Sequence, residues 1–214
     1  MVIVSKIITP SKLLSLPETI VGHHSVGDWD KSTATWELDT GLYISPPSSL
    51  NIWGSGNKCL LCRLPDALNL PDGRVITWFH IAWKDNFILS FRNQATLGSA
   101  NLANTYLIRD VDVSKWALAK YVNDAYTAIG EIAWTHELNT WYKCRLTWWT
   151  TYDAQNNPNF AVQFEVDEAG QWVSKGILYD IANLWQESGT NRCGPATSTG
   201  YVHYDDTEIW KPEE

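Results

Sequence analysis

The chain has 214 residues, with 16 lysines and arginines against 24 aspartates and glutamates and a net charge of −8. This balance lacks the basic surface that nucleic-acid binding needs, and no run approaches the roughly 18 apolar residues of a membrane span. We expect one domain over residues 1–214, because a single all-β unit can reach about 200–250 residues. The first residues lack the features of a signal peptide, which is typical of a cytoplasmic protein or, in a virus, of a virion protein.

The aromatic content favours strands over helices. The chain contains 13 Trp and 9 Tyr against 5 Phe and 1 Met. Trp and Tyr are enriched in strands and tolerate half-exposure because they carry a polar group, whereas a helical bundle relies on Leu, Ala, Met, Glu and Lys. The composition therefore predicts a β fold with aromatic side chains on its sheet faces.

The first half of the chain alternates between apolar and polar residues in short segments divided by Gly, Pro, Asn and Asp, which predicts many strands. The expected strands are residues 35–41, 42–44, 49–53, 58–64, 74–83 and 87–92. Residues 84–86 predict a tight turn, so the last two strands are expected to pair as a hairpin.

The second half contains two predicted loops, residues 93–104 and 185–200, which are rich in small and polar residues. Residues 114–122 fit a short helix with Ser114 as its N-cap or a strand, and the strand is favoured because the neighbouring segments are β. The other expected strands are residues 106–112, 140–149, 160–166, 171–173 and 201–210. The third and fourth of these are expected to form a second hairpin.

The clearest alternation lies in residues 140–149, where successive side chains point to opposite faces of a strand. One face presents Tyr142, Cys144, Leu146 and Trp148. The other face presents Lys143, Arg145, Thr147 and Trp149. We expect the first set to pack in the core and the second to face outward.

Several segments together resemble the concanavalin A-like lectin and glucanase superfamily, which includes laminin-G-like modules. They are Asp28-Trp29-Asp30, Trp141 to Arg145, Phe164 to Trp172, Ser188-Gly189 and Tyr204 to Ile209. The resemblance implies an all-β fold, a two-sheet antiparallel β-sandwich of the jelly-roll type. It does not imply one function, because this fold hosts lectins, glycosidases, adhesion modules and viral structural proteins.

The glucanases of this superfamily place their catalytic acids as Glu-x-Asp-x-(x)-Glu on one strand, and a glycosidase needs two carboxylates about 5–9 Å apart. The nearest match here is Glu165-Val-Asp167-Glu168, followed by Ala169 and Gly170, so the last acid is missing. The chain also lacks a Gly-x-Ser-x-Gly elbow, a phosphate-binding loop and a His-Glu-x-x-His motif. The sequence therefore predicts no catalytic residue.

Cysteine and histidine spacing gives no strong metal or redox signal. In Cys59-Leu-Leu-Cys62 the two side chains point to opposite faces of a strand, which disfavours a bridge or a shared metal. Cys144 is expected to be a buried thiol, and a bridge from Cys193 to one of the first pair stays open. The adjacent His23-His24 in a predicted loop fit a metal ligand or, more simply, exposed loop residues.

The strongest functional signal is a surface. If the first predicted hairpin and residues 140–149 belong to the concave sheet of a jelly roll, their outer faces present Trp78, His80, Ser90, Arg92, Lys143, Arg145 and Trp149, with Gln163 and Glu165 from the next strand. Flat indoles beside polar donors suit sugar rings, which have apolar faces edged by hydroxyls. The alternative is that loops cover this face as a second core layer.

Asp205-Asp206 in the last strand is the candidate metal site. In the carbohydrate-binding jelly rolls that the chain resembles, such an aspartate often helps to hold a structural calcium ion. Calcium takes six to eight oxygen ligands, and we consider Glu18, Asp28 and Asp30 as the other contributors. The alternative is a β-bulge whose carboxylates cap neighbouring amides.

The sequence thus favours a non-catalytic carbohydrate-binding or adhesive module with a glycan or protein partner. The main alternative is a structural protein of a phage or an archaeal virus, such as a capsid, tail or decoration subunit, for which homo-oligomers are expected. A divergent glycoside hydrolase is third. Glycan binding, self-association and release of reducing sugar distinguish the three.

Overall fold

The regular structure of the chain is entirely β in the part that this computed structural model describes. The described residues are 10–15, 29–30, 35–46, 48–54, 58–62, 69–84, 87–96, 98, 100–185, 188–198 and 200–212. Sixteen strands lie within these ranges. This agrees with the all-β class that the composition predicts.

The strands of the first half are β1 (Pro10–Ser15), β2 (Trp29–Asp30), β3 (Thr35–Asp39), β4 (Ser49–Gly54), β5 (Lys58–Cys59), β6 (Leu61–Cys62), β7 (Gly73–Ile81) and β8 (Phe87–Asn93). Those of the second half are β9 (Thr105–Asp112), β10 (Lys115–Val122), β11 (Ala125–Ala133), β12 (Trp141–Tyr152), β13 (Pro158–Glu168), β14 (Gln171–Asp180), β15 (Arg192–Thr197) and β16 (Gly200–Pro212).

Two large sheets form a sandwich, in which the strand pairs are antiparallel. The eight-stranded sheet has the order β14-β13-β12-β7-β16-β4-β3, with β1 also paired to β16. The six-stranded sheet has the order β11-β10-β9-β8-β15-β5, and β2 and β6 form a separate pair. The two-sheet antiparallel jelly-roll prediction is therefore confirmed.

Aromatic side chains fill the space between the two sheets. Trp148 stacks on Phe91 with ring centroids 5.3 Å apart, and Trp116 stacks on Phe164 at 4.9 Å. Full burial of one such side chain contributes about 1.5–3 kcal/mol relative to leaving it exposed. The inward face of β12 carries buried Leu146 and Trp148 as predicted, because the alternation of a strand places every second side chain in the core.

The local predictions that rest on clear alternation are confirmed. Strands β13 and β14 pair as the predicted hairpin. Residues 115–122 form a strand rather than a helix, paired on both sides within the six-stranded sheet. These segments have either strict alternation or β neighbours on both sides, which the sequence shows directly.

The first predicted hairpin is wrong. Strand β7 pairs with β12 and β16, whereas β8 pairs with β9 and β15 in the other sheet. The connection crosses the sandwich, so Phe79 and Phe87 meet across the core with ring centroids 4.5 Å apart and ring planes tilted by 49°. Both rings are fully buried between the sheets, and the burial of their apolar surface favours this crossed arrangement.

Three further expectations differ from the structure. Residues 42–44 form a bend, not a strand, with Tyr43 and Ile44 exposed. Residues 185–200 contain β15, although a loop is predicted there. Strand β11 has no counterpart in the prediction because it is an exposed edge strand without clear alternation.

The outer face of the six-stranded sheet is a second apolar layer. Ala95, Ala100 and Leu102, from the connection between β8 and β9, are packed in a buried cluster with strand residues. The strand residues of that cluster are Cys59, Leu61, Ile88, Leu107, Ala119 and Ala196. The β8–β9 connection therefore covers apolar residues on the outer face of the six-stranded sheet.

All four cysteines are buried and none of them is in a disulfide bond, so the bridge from Cys193 does not form. The Cys59 side chain belongs to the outer apolar layer and that of Cys62 to the main core, so the two point in opposite directions as the spacing predicts. Burial raises the pKa of the Cys193 thiol well above its usual value, which keeps it in the unreactive neutral form.

Candidate functional site

Seven predicted ligand residues lie on the outer face of the eight-stranded sheet. They are Trp78 and His80 on β7, Lys143, Arg145 and Trp149 on β12, and Gln163 and Glu165 on β13. Register places Lys143 opposite Trp78 and Arg145 opposite Glu165. Because directly opposed side chains are about 4.5–5.5 Å apart at Cβ, these residues form one continuous surface.

Arg92 does not lie on that surface. It is fully buried on β8 of the other sheet, and its guanidinium lies 4.1 Å from the centroid of the Phe160 ring. The guanidinium donates to Asp72 and Thr150, each at 3.0 Å, and to Asn183 at 2.7 Å. Its other acceptors are the carbonyls of Pro71 and Leu184. The predicted β7–β8 hairpin places Ser90 and Arg92 on the same face as Trp78. This is wrong, because Ser90 and Arg92 belong to β8 of the six-stranded sheet.

The centre of the face is a network of paired charges and indoles. Arg145 donates to both carboxylate oxygens of Glu165, at 2.5 and 2.6 Å, and its guanidinium lies 4.6 Å from the Trp172 ring. The Lys143 ammonium lies 5.8 Å from the Trp78 ring. Bidentate pairing fixes the Arg145 plane, so this part presents ordered aromatic and polar groups.

The neighbouring part of the face contains a row of residues of which the sequence analysis predicted only His80. Glu37, Asn51, His203, His80 and Trp141 occupy directly opposed positions on five successive strands. Asn51 Nδ2 donates to Glu37 Oε1 at 3.2 Å. The His80 ring lies 5.4 Å from Trp141 and 5.7 Å from His203. We call these five residues, together with Asp39, the acidic row.

Asp39 determines which ring nitrogen of His203 carries the proton, because His203 Nε2 lies 2.9 Å from Asp39 Oδ2. Burial raises the pKa of Asp39, but hydrogen bonds from the Gly41 amide and His203 outweigh burial and lower it. Burial lowers the pKa of His203 despite the adjacent carboxylate. Near neutral pH the carboxylate is charged and only accepts, so the neutral imidazole donates through Nε2–H and Nδ1 carries a lone pair.

An aromatic pair flanks the acidic row. Trp53 and Tyr201 are directly opposed on β4 and β16 and stack with centroids 5.9 Å apart and planes 22° apart. They share the outer face with Asn51 and His203, which lie two residues along the same strands. Tyr201 is 48% exposed, so the pair presents ring surface to solvent.

The sequence contains a weak signal for the acidic row. Glu37-Leu38-Asp39 places two carboxylates on one face of a strand, and Tyr201-Val202-His203 does the same for an aromatic and an imidazole. Sequence spacing cannot show that β4, β16, β7 and β12 lie side by side, because no two neighbours among them are consecutive strands of the chain. These residues are brought side by side only by the order of the strands in the sheet.

The predicted metal residues have other partners. Asp205 Oδ2 accepts hydrogen bonds from the amides of Ile44 and Ser45, at 2.8 and 3.0 Å. Asp206 accepts from the Ser45 hydroxyl at 2.7 Å, and the register of β16 shifts after Asp205. These contacts match the alternative of a bulge whose carboxylates cap amides.

Calcium therefore stays a prediction. The Asp30 carboxylate, considered as a calcium ligand, forms an ion pair with Arg192 at 3.1 Å. Glu18, Asp28 and His23-His24 lie outside the described residues. No group of three or more His, Cys, Asp or Glu side chains in the described ranges is placed to hold a metal ion.

Three buried histidines are expected to make stability depend on pH. Burial lowers the pKa of His80, His136 and His203 in the folded protein. Below the unfolded value of about 6.5 the unfolded chain binds more protons, so the free energy of unfolding falls as pH falls. The slope is up to about 1.4 kcal/mol per pH unit for each histidine. Urea unfolding at several pH values between 7.5 and 5.5, taken as about one unit either side of that pKa, measures it.

His136→Phe is the matched variant, because the His136 ring is buried against Trp116 and Trp134 at 5.3 and 5.7 Å between centroids. Removing one of the three titrating groups is expected to reduce the slope while keeping the aromatic packing. A variant with the unchanged slope, or a wild type whose stability is flat over this range, contradicts the assignment.

Comparison with known proteins supports the fold. No protein-family profile matches the chain, and no curated protein matches its sequence. Among solved structures, the carbohydrate recognition domain of Emp46p is similar at 10% identity and a TM-score of 0.58, over 96% of this chain and 99% of that one. The carbohydrate-binding module CBM66 from Bacillus subtilis matches at 12% identity and a TM-score of 0.55, over 87% and 98%.

A third similar structure is the exoplasmic/lumenal domain of VIP36 in its Ca²⁺/Man2-bound form. It has 12% identity and a TM-score of 0.52, and the match covers 95% of this chain and 88% of that one. The chain has the concanavalin A-like fold. At 10–12% sequence identity, similarity to these structures establishes the architecture of this chain. Its function has to be argued from the residues of the site. None of the described elements is a helix long and apolar enough to cross a membrane.

Proposed function

We propose that this chain is a non-catalytic carbohydrate-binding module that binds glycans on the outer face of its eight-stranded sheet, as a single domain over residues 1–214. One observation carries the proposal. Trp78, Trp141 and Trp149 lie on that face, partly exposed, with hydrogen-bonding side chains between them. Partly exposed indoles provide flat stacking surfaces for the apolar faces of sugar rings.

The polar groups on the face complement the hydroxyls of a sugar. Lys143 and Arg145 supply donors, and Gln163 supplies both a donor and an acceptor. Glu165 is engaged by Arg145 through both oxygens, which suits a fixed acceptor better than a proton donor in hydrolysis. His80 completes the proposed set beside Trp141.

The similar structures support this reading of the face. The Emp46p domain is described as a carbohydrate recognition domain, and CBM66 as a carbohydrate-binding module. The VIP36 domain is described with Ca²⁺ and Man2 bound. These descriptions apply to those proteins. For this chain, the proposal of glycan binding rests on its own aromatic and polar face.

Trp149→Ala is expected to weaken glycan binding roughly 5- to 150-fold while the melting temperature stays within a few degrees. Trp149 is only partly buried and lies opposite Ala161 at the β13 side of the face. Loss of one stacking indole costs about 1–3 kcal/mol of binding, by analogy with base–aromatic stacking. Calorimetric titration and thermal melting measure the two quantities.

Trp83→Ala is the matched control, because Trp83 is 67% exposed and follows β7 outside the sheet. It is expected to leave binding unchanged. If Trp149→Ala unfolds the protein, Trp149 is a core residue and the proposed stacking role is wrong.

The first experiment is a glycan array with and without calcium, after light scattering has given the oligomeric state. A specific hit supports the lectin function, and its dependence on calcium tests the predicted role of Asp205 and Asp206. A blank array with a discrete oligomer or filament favours the structural subunit. Release of reducing sugar favours the divergent glycoside hydrolase.

A further inference from the structure

The acidic row has buried polar atoms whose hydrogen-bonding capacity is unused. Asn51 is 4% exposed and His203 is 8% exposed. Asn51 Oδ1 and His203 Nδ1 have no hydrogen-bond partner, although the large majority of buried side-chain polar atoms in proteins have one. Both atoms are acceptors, because Asn51 directs its amide nitrogen to Glu37 and His203 donates through Nε2 to Asp39.

The charge of the row is uncompensated. Glu37 is exposed and Asp39 partly exposed on β3. Among the described residues, neither carboxylate forms an ion pair with a lysine or arginine, and the partners of Asp39 are the Gly41 amide and the imidazole of His203, which burial keeps neutral. The paired cations of the face, such as Arg145, lie on β12, three strands away from β4 in the order of the sheet.

The ligand that fits therefore brings hydrogen-bond donors and a positive charge. A protonated primary amine supplies both, with three N–H donors and no acceptor. A neutral hydroxyl supplies a donor without the charge, and the described residues of the row are not placed to hold a metal ion. The flanking Trp53–Tyr201 stack adds a flat surface on which a sugar ring can lie.

We propose that the acidic row binds a sugar with a free amino group, an unacetylated hexosamine within a glycan. The ammonium lies against Glu37 and Asp39, while the ring stacks on Trp53 and Tyr201. This inference rests on the proposed glycan-binding function and adds a ligand class and a second group of residues to it.

The test compares two hexasaccharides that differ only in acetylation, glucosamine hexamer and N-acetylglucosamine hexamer. Both are titrated calorimetrically into the full chain in mildly acidic buffer of low salt, where the amine is charged. The glucosamine hexamer is expected to bind about tenfold more tightly, the gain from one charge-assisted hydrogen bond. Added salt is expected to reduce that preference, because salt screens exposed charges.

Glu37→Gln keeps the size of the side chain and removes its charge, so it is expected to lose most of the preference while its melting temperature stays unchanged. Glu131→Gln on β11, an exposed carboxylate in the other sheet, is the matched control and is expected to keep the preference. A preference that persists in Glu37→Gln overturns the assignment to the acidic row.

The remaining outcomes separate the inference from the proposed function. Equal binding of the two hexamers overturns the inference and leaves glycan binding standing. Binding of neither hexamer, with no hit on the glycan array, overturns both. A calcium-induced rise in melting temperature that Glu37→Gln abolishes shows a metal site instead and also overturns the inference.

Discussion

Gly194→Ala is expected to lower the free energy of unfolding by about 3 kcal/mol or more. A Cβ atom placed on Gly194 lies 2.0 Å from the carbonyl oxygen of Leu60 and 3.1 Å from Cζ3 of Trp29. The first contact is with backbone, which no side-chain rotation relieves. The neighbouring backbone is also fixed, since the Leu60 amide donates to the Pro195 carbonyl at 2.9 Å.

Thermal and urea unfolding measure the effect, with Gly189→Ala as the matched control. A Cβ atom on Gly189 meets no heavy atom within 4 Å, so the control is expected to be nearly neutral. For a chain of this size, each kcal/mol corresponds to about 2–4 °C in melting temperature. If the two variants have equal stability, the close approach of β15 to Leu60 is wrong.

The importance of Gly194 could not be predicted, because β15 itself was predicted to be a loop. Gly194 and Pro195 are poor strand formers, and the segment before them is rich in Ser, Gly and Asn. In the structure every residue of β15 is buried, between β8 and β5. Close packing requires the absence of a side chain at Gly194, so tertiary context overrides local propensity.

What could be predicted depends on local alternation. The faces of β12 follow from a period of two over successive residues, and the β13–β14 hairpin follows from two such segments and a short turn. The crossing between β7 and β8 has the same local pattern as a hairpin. Only the competition between edge pairing and burial of Phe79 and Phe87 between the two sheets separates a crossing from a hairpin, and that is a property of the whole sandwich.

One part of the candidate site could likewise be predicted from local alternation, and the other part could not. Its β7, β12 and β13 part was predicted because long strands carry indoles and polar residues at every second position. The acidic row was missed because Glu37 and Asn51 lie on short strands and His203 was one of several scattered histidines. The two parts join at His80 and Trp141, which are directly opposed and belong to both.

This junction gives the face two electrostatic halves. The half around Arg145 and Glu165 is internally paired, while the half around Glu37 and Asp39 has carboxylates without a cationic partner among the described residues. We propose a neutral glycan for the first half and an amino sugar for the second. A mixed glycan that contains both kinds of sugar would engage the two halves together, and its affinity would exceed that for either sugar alone.

Arg192→Met is expected to lower the free energy of unfolding by about 3–5 kcal/mol, because it leaves a buried charge without its partner. Arg192 is 1% exposed, and its guanidinium donates to Asp30 Oδ2 at 3.1 Å. The remaining donors bind the backbone carbonyls of Leu61, Cys62, Ala95 and Thr96. One side chain thus joins β15 to β2, β6 and the connection that covers the six-stranded sheet.

Asp30→Asn in the Arg192→Met background separates charge from lost hydrogen bonds. If the unpaired carboxylate dominates, the double variant is more stable than Arg192→Met alone, because a neutral amide is less costly to bury. Lys115→Met is the control, since the ion pair of Lys115 with Glu131 is exposed and contributes about 1 kcal/mol or less. Equal stability of the double and single variants would instead assign the loss to the hydrogen bonds that Arg192 donates to the four backbone carbonyls.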